Sequence, residues 1–187
     1  MNMGNLSRLD PLTAVIGMNK FDNVFYLDKD LGYESGCVLD DNIVWCLYST
    51  FDSFRKPDIN SAKIENVDKC KYIGLFHGDI KGSKTDVGYT SENGFDTSYF
   101  DELDFCLCGH IHKRQELTYN GIKIVYCRSL IQQDHGENIN GHGYLVWDVE
   151  NESYDSIDIE NPVYGFYTFE IGSDEDIENN KEVLINN

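Results

Sequence analysis

Two stretches of this chain share one design. An apolar run leads into a glycine-flanked histidine, first at Phe76-His77-Gly78 and again at Cys108-Gly109-His110. Reactive groups are often carried on loops at strand ends, where a rigid sheet holds them in place. Neutral imidazole is the commonest side-chain ligand for metals. His110 and His112 stand two apart, so extended backbone would place both rings on one side. They would then reach one metal each in a pair about 3.5–4 Å apart. Such a pair suits phosphoester cleavage, in which one ion activates water and both clamp the phosphoryl oxygens. Gly109 is expected to make the turn that aims the next side chain into the site. The competing reading is plain: a His-x-His pair is often only a hydrogen-bonded surface or core pair.

The elements that must position these histidines are short. Tyr72-Ile73-Gly74-Leu75-Phe76 and Phe105–Cys108 are apolar throughout, as buried strands are. Ile73–Phe76 and Phe105–Cys108 are therefore predicted to lie side by side in one sheet. Strands are also predicted at Val24–Leu27, Cys37–Leu39 and Ile43–Ser49, the last two joined by a turn at Asp40-Asp41-Asn42. Glu116–Tyr119 and Ile122–Cys127 flank Asn120-Gly121, among the strongest hairpin signals. Tyr144–Val149 and Tyr154–Ile159 form a further hairpin. Helices are predicted after Asp10-Pro11, where Leu12, Val15 and Ile16 have helical spacing, over Asp58 to Lys69, and briefly over Thr97 to Leu103. The stretch Lys81 to Asn93, rich in Gly, Ser, Thr and Asp, reads as a long loop. The fold class is α/β and β-rich.

The chain has 187 residues, of which 41% are hydrophobic and 13% aromatic, enough for a real core. Its net charge of −18 argues against broad electrostatic capture of nucleic acid, which depends on Lys and Arg. It does not exclude phosphate chemistry, because a bound divalent cation can dominate the local field. The six cysteines include no Cys-x-x-Cys and mostly sit in apolar runs, so they read as reduced and buried. No apolar run approaches a membrane span, and a cytoplasmic location is expected, the host cytoplasm if the chain is viral.

Gly109-His110-Ile111-His112 resembles the last signature of the calcineurin-like metallophosphoesterases, and Leu75-Phe76-His77-Gly78 resembles their preceding histidine motif. Ser129-Leu130-Ile131-Gln132-Gln133, Gly136-Glu137, His142-Gly143-Tyr144, Trp147-Asp148 and Tyr164-Gly165-Phe166-Tyr167 are similar to the SbcD-type nuclease branch. The versions they look most like are encoded by large viruses and phages. The resemblance implies that His77 and His110 are ligands of one metal and His112 a ligand of the other. It implies a divalent metal pair, in the main Mn2+, a DNA phosphodiester substrate, and an SbcC-type ATPase partner. It also implies an α/β sandwich, of which residues 1–171 would form the C-terminal half. Residues 172–187 read, from their composition, as an acidic tail.

The departures from that pattern carry equal weight. The family's Asp-x-His, Gly-Asp-x-x-Asp and Gly-Asn-His-Asp motifs, which supply most carboxylate ligands and the histidine beside the leaving group, are absent from the sequence. At Gly4-Asn5, Leu6 stands where the last of these would need histidine. Arg128 precedes Ser129, where relatives often carry a small residue. The expectation is therefore a hydrolase, a nuclease subunit of a DNA repair or recombination complex, that is inactive as this chain alone. A separate chain holding the missing motifs is one expected partner. The alternative is a non-catalytic structural or binding subunit. Asp79 and Asp86 read as solvated loop acids. His135 and His142 read as structural or, as weaker candidates, substrate-binding residues.

Overall fold

Apolar runs in the centre of a sheet are buried on both sides, and four of them organise this protein. The computed structural model describes residues 25–59, 69–160, 165–166 and 172. Six strands form one mixed sheet: β1 (Gly36–Asp40), β2 (Ile43–Tyr48), β3 (Lys71–His77), β4 (Phe105–Gly109), β5 (Gln115–Tyr119) and β6 (Ile122–Tyr126), in the order β1-β2-β3-β4-β6-β5. Strands β2, β3, β4 and β6 run parallel, with Ile73 opposite Phe105 and His77 opposite Gly109. The hairpin partners β1 and β5 close the two edges antiparallel. This is a β-rich α/β fold, and the two histidine-bearing strands are direct neighbours.

Side chains alternate across the sheet, so each strand contributes to two layers. One face carries Val44, Cys46, Tyr48, Tyr72, Phe76, Cys106, Cys108, Ile124 and Tyr126, all buried in the principal core. Phe76 is its centre, with ring contacts to Phe54 at 5.1 Å, Phe100 at 5.2 Å and Phe95 at 5.4 Å. The opposite face is covered by a ribbon of β7 (Gly143–Asp148) and β8 (Ser153–Asp158), whose Trp147 stacks on Phe105 at 4.4 Å. On that face Leu47, Leu75 and Leu107 remain only half-buried.

The loop between β3 and β4 is long but tied. Isolated bridges join Ile80 to Phe95 and Lys84 to Thr90. Gly94 passes so close to the Asp79–Lys81 backbone that a β-carbon there would meet main-chain atoms at 2.7 Å. Asn120 and Gly121 both have positive φ, 49° and 90°, as the tight hairpin turn requires.

Two predicted elements need correction. Phe25 and Tyr26 are not in a strand, and Leu27–Asp30 forms one helical turn. The Ser49 hydroxyl donates to Asp28 at 2.7 Å, a polar tie that a hydrophobicity pattern cannot register. At Thr97 to Leu103 only Thr97–Phe100 is helical, as a 3-10 turn capped by Asp96. The predicted helix after Asp10, most of the one at Asp58 to Lys69, and the tail beyond Gly172 lie outside the described residues. All six cysteines carry free thiols, with Cys46, Cys106 and Cys108 buried and Cys127 exposed. Among the described residues, no helix is long and apolar enough to cross a membrane.

Candidate functional site

Parallel strands end together, and in open α/β sheets ligands bind in the crevice beyond their carboxyl ends. His77 is the last residue of β3, and His110 follows the last residue of β4. Their rings lie 5.4 Å apart, centre to centre, at 68°. Gly109 makes this possible by having no side chain: a β-carbon there would sit 2.8 Å from His77 Cδ2. The expected turn at Gly109 is not found. His110 itself takes the left-handed conformation, with φ 91°, which is uncommon for a residue with a side chain. Such strain is concentrated at functional sites, and here it aims an imidazole. Burial, with His110 and then His112 nearby, holds the His77 pKa below the usual histidine range. That favours the neutral imidazole, the form that binds metals.

The loop after His77 is held from beneath. Tyr126, at the end of β6, accepts a hydrogen bond from the Ile80 amide at 3.0 Å and donates one to the Gly78 carbonyl at 2.7 Å. It is fully buried, and burial pushes its phenol pKa up. Asp79 is thereby presented at the rim, 3.7 Å from His110 Nε2, beyond hydrogen-bonding distance. Asp86 is not a solvated loop acid. It pairs with Arg128 at 3.1 Å, both side chains nearly enclosed, and accepts the Asn138 amide at 3.3 Å. Arg128, with φ 79°, thus has a specific task at the place where relatives were expected to carry a small residue.

His112 sits on a different support. Its Nδ1 lies 2.6 Å from Glu137 Oε1. The other carboxylate oxygen accepts from the Ser129 hydroxyl at 3.0 Å and from the Gln133 amide at 3.1 Å. Gln132 holds the same loop by donating to the Glu137 carbonyl at 2.9 Å, and its side-chain oxygen accepts the Phe166 amide at 2.6 Å. The stretch Ser129–Gln133 is therefore a scaffold under His112. His142 is buried, with Nε2 2.6 Å from the Asn138 carbonyl and Nδ1 3.1 Å from the Ser129 hydroxyl, so it serves that scaffold from within. His135 is exposed, its ring 4.8 Å from that of Phe166.

A cleft of about 350 Å³ opens between these supports, lined among others by Asp79, Tyr89, His110, His112, Asp134 and Glu137. His77 lines a neighbouring hollow of about 240 Å³ with Ser49 and Thr50. Two imidazoles on one ion, each with nitrogen at 2.0–2.1 Å, have ring centres ~5 Å apart, so the His77–His110 spacing fits a shared ion. Among the described residues, no three His, Cys, Asp or Glu side chains are grouped closely enough to hold an ion by themselves. The imidazoles and the carboxylate of Asp79 are ligand-type groups, and among the described residues they do not amount to a complete ligand set. The sequence shows Glu137 only as part of the nuclease-branch resemblance, Asp86 only as a solvated loop acid and Arg128 only as a departure from the family pattern. Their partners are 25 and 42 residues away, and no local pattern names them.

No protein-family model matches the chain, and no solved structure matches it. It is similar to an uncharacterised protein of Acanthamoeba polyphaga mimivirus, 36% identical over 179 residues, covering 91% of this chain and 12% of that protein. The chain thus spans a small part of the length of the relative it matches.

Proposed function

We propose that this chain is the C-terminal part of a metal-dependent phosphodiesterase domain that acts on DNA, with its carboxylate ligands supplied by residues outside this sequence. The observation that carries the reading is the His77–His110 pair, ring to ring at the carboxyl edge of parallel strands, with His110 in a strained conformation. His77 and His110 would hold one divalent ion and His112 a second, with Mn2+ the expected metal. A bound pair of this kind supplies an activated water and charge stabilisation at the phosphoryl oxygens. The chain's own residues orient the ligands: Gly109 makes room for the His77 ring, Tyr126 fixes the loop, and Glu137 holds His112. The similarity to part of a much longer viral protein is consistent with this sequence acting together with further protein segments. An SbcC-type ATPase and a chain bearing the missing motifs are the proposed partners, in the cytoplasm of an infected host.

A second reading, a binding subunit that keeps the fold without the chemistry, is favoured by one observation. Among the described residues no complete ligand group exists. A titration with Zn2+, a diamagnetic stand-in that shifts chiefly the ring nitrogens it binds, followed by 1H–15N NMR of the histidine rings, separates the two. The metal reading expects the ring nitrogens of His77, His110 and His112 to shift at Zn2+ levels that leave those of the exposed His135 unmoved. Shifts of His135 together with the other three would mark general attraction to an acidic surface and remove the support for a metal site.

A further inference from the structure

A buried carboxylate needs a full set of donors, and where those donors lie reveals what the carboxylate is for. The Glu137 side chain is 6% exposed. Among the described residues no Lys or Arg forms an ion pair with it. The basic groups near it are the imidazoles of His112 at 2.6 Å and His142 at 3.9 Å. One oxygen is anchored to the scaffold by the Ser129 hydroxyl and the Gln133 amide, and the other is aimed at His112 Nδ1. We propose that Glu137 is a positioning residue that fixes the His112 proton on Nδ1 and so presents the Nε2 lone pair to the cleft.

Donors and acceptors decide the tautomer. An ionised carboxylate only accepts, so the nitrogen 2.6 Å from it must carry the proton. In a neutral ring the opposite nitrogen is then the free base. Half of the His112 side chain remains exposed, and its ring lines the cleft. A carboxylate behind an imidazole fixes the tautomer and ring orientation and raises the basicity of the ligating nitrogen. This inference rests on the proposed metal-site reading, but its first readout does not need a metal.

Glu137→Gln gives a sharp test because Gln133 leaves the new amide little choice. The Gln133 N–H can only donate, so the oxygen of the substituted side chain must face it. The amide nitrogen then faces His112 Nδ1, which must accept, and the imidazole proton moves to Nε2. The experiment is a long-range 1H–15N correlation of the histidine rings in the whole chain, at about pH 8, above the ordinary histidine range of ~6.5. The expected result is an Nδ1–H ring at His112 in the unaltered chain and an Nε2–H ring in the Glu137→Gln chain. An Nε2–H ring in the unaltered chain overturns the proposal, and this arm stands whether or not the variant folds. A His112 tautomer unchanged by the substitution, with the backbone spectrum otherwise intact, overturns it as well. In the Zn2+ titration, Glu137→Gln should move the ring-nitrogen shift of His112 to ~10–100-fold higher metal. His77 and His110 should respond as before. Their response reports on the metal reading itself, so failure of that reading and failure of the Glu137 assignment give different spectra.

Discussion

His110 is held where a side chain is strained, and the strain can be measured. Residues in sparsely populated backbone regions cost of order 1–3 kcal/mol each. Glycine has no such penalty at positive φ. His110→Gly should therefore stabilise the fold by about 1 kcal/mol in chemical denaturation while removing the imidazole. A loss of stability would show that His110 contributes to packing rather than storing strain for a ligand. Gly109→Ala makes the opposite case. Its β-carbon would lie 2.8 Å from His77 Cδ2, so the ring must swing away. Overpacking of this kind typically costs ~1–3 kcal/mol. The expected readout is a shifted His77 ring signal and loss of the ring-to-ring contact with His110. An unchanged His77 signal would contradict the packing described. At this scale the histidines and their glycine were legible in the sequence, because residue type alone announces them. Which of Gly109 and His110 bends the chain was not legible, since that depends on the His77 ring across the strand pair. Glu137 was missed as the partner of His112 for the same reason.

Elements were easier to read than their ties. Strands β3, β4 and β6 announced themselves as short apolar runs, and Asn120-Gly121 as a hairpin. The run Val24–Leu27 misled, because short apolar stretches do not distinguish strand from helix. The polar ties that fix the loops were invisible. Tyr126 is one of them: its hydroxyl serves two backbone groups of the loop that carries His77 and Asp79. Tyr126→Phe leaves the buried Ile80 amide and Gly78 carbonyl without that partner. The expected loss is ~1–3 kcal/mol, with faster amide exchange from Gly78 to Ile80. Unchanged exchange there would mean that the loop is held by other contacts. The Asp86–Arg128 pair is the second tie, with side chains 4% and 10% exposed. Removing one partner of a buried pair strands the other, at ~3–5 kcal/mol. Asp86→Ala and Arg128→Ala should each destabilise strongly, and the double substitution by clearly less than their sum. Additive losses would show that the two side chains act separately.

On the scale of the whole molecule, two properties shape the functional account. A chain of net charge −18 is poorly suited to gather DNA through its own surface cations, so on the proposed reading a partner or a bound metal would draw the phosphate in. Among the described residues, Leu47, Leu75 and Leu107 are only half-buried, on the same face of the sheet as His77. That is compatible with a further layer bringing carboxylates to the imidazoles. Three neutral imidazoles cannot hold two hard cations at a fixed separation without oxygen ligands to bridge them. The most direct test is cleavage of linear double-stranded DNA with Mn2+, by this chain alone and then mixed with an N-terminal half carrying the Asp-x-His, Gly-Asp-x-x-Asp and Gly-Asn-His-Asp motifs. Little or no cleavage is expected from the chain alone, and cleavage on mixing should be abolished by His112→Ala. Robust Mn2+-dependent cleavage by the chain alone, lost in His112→Ala, would contradict the account that its site is incomplete.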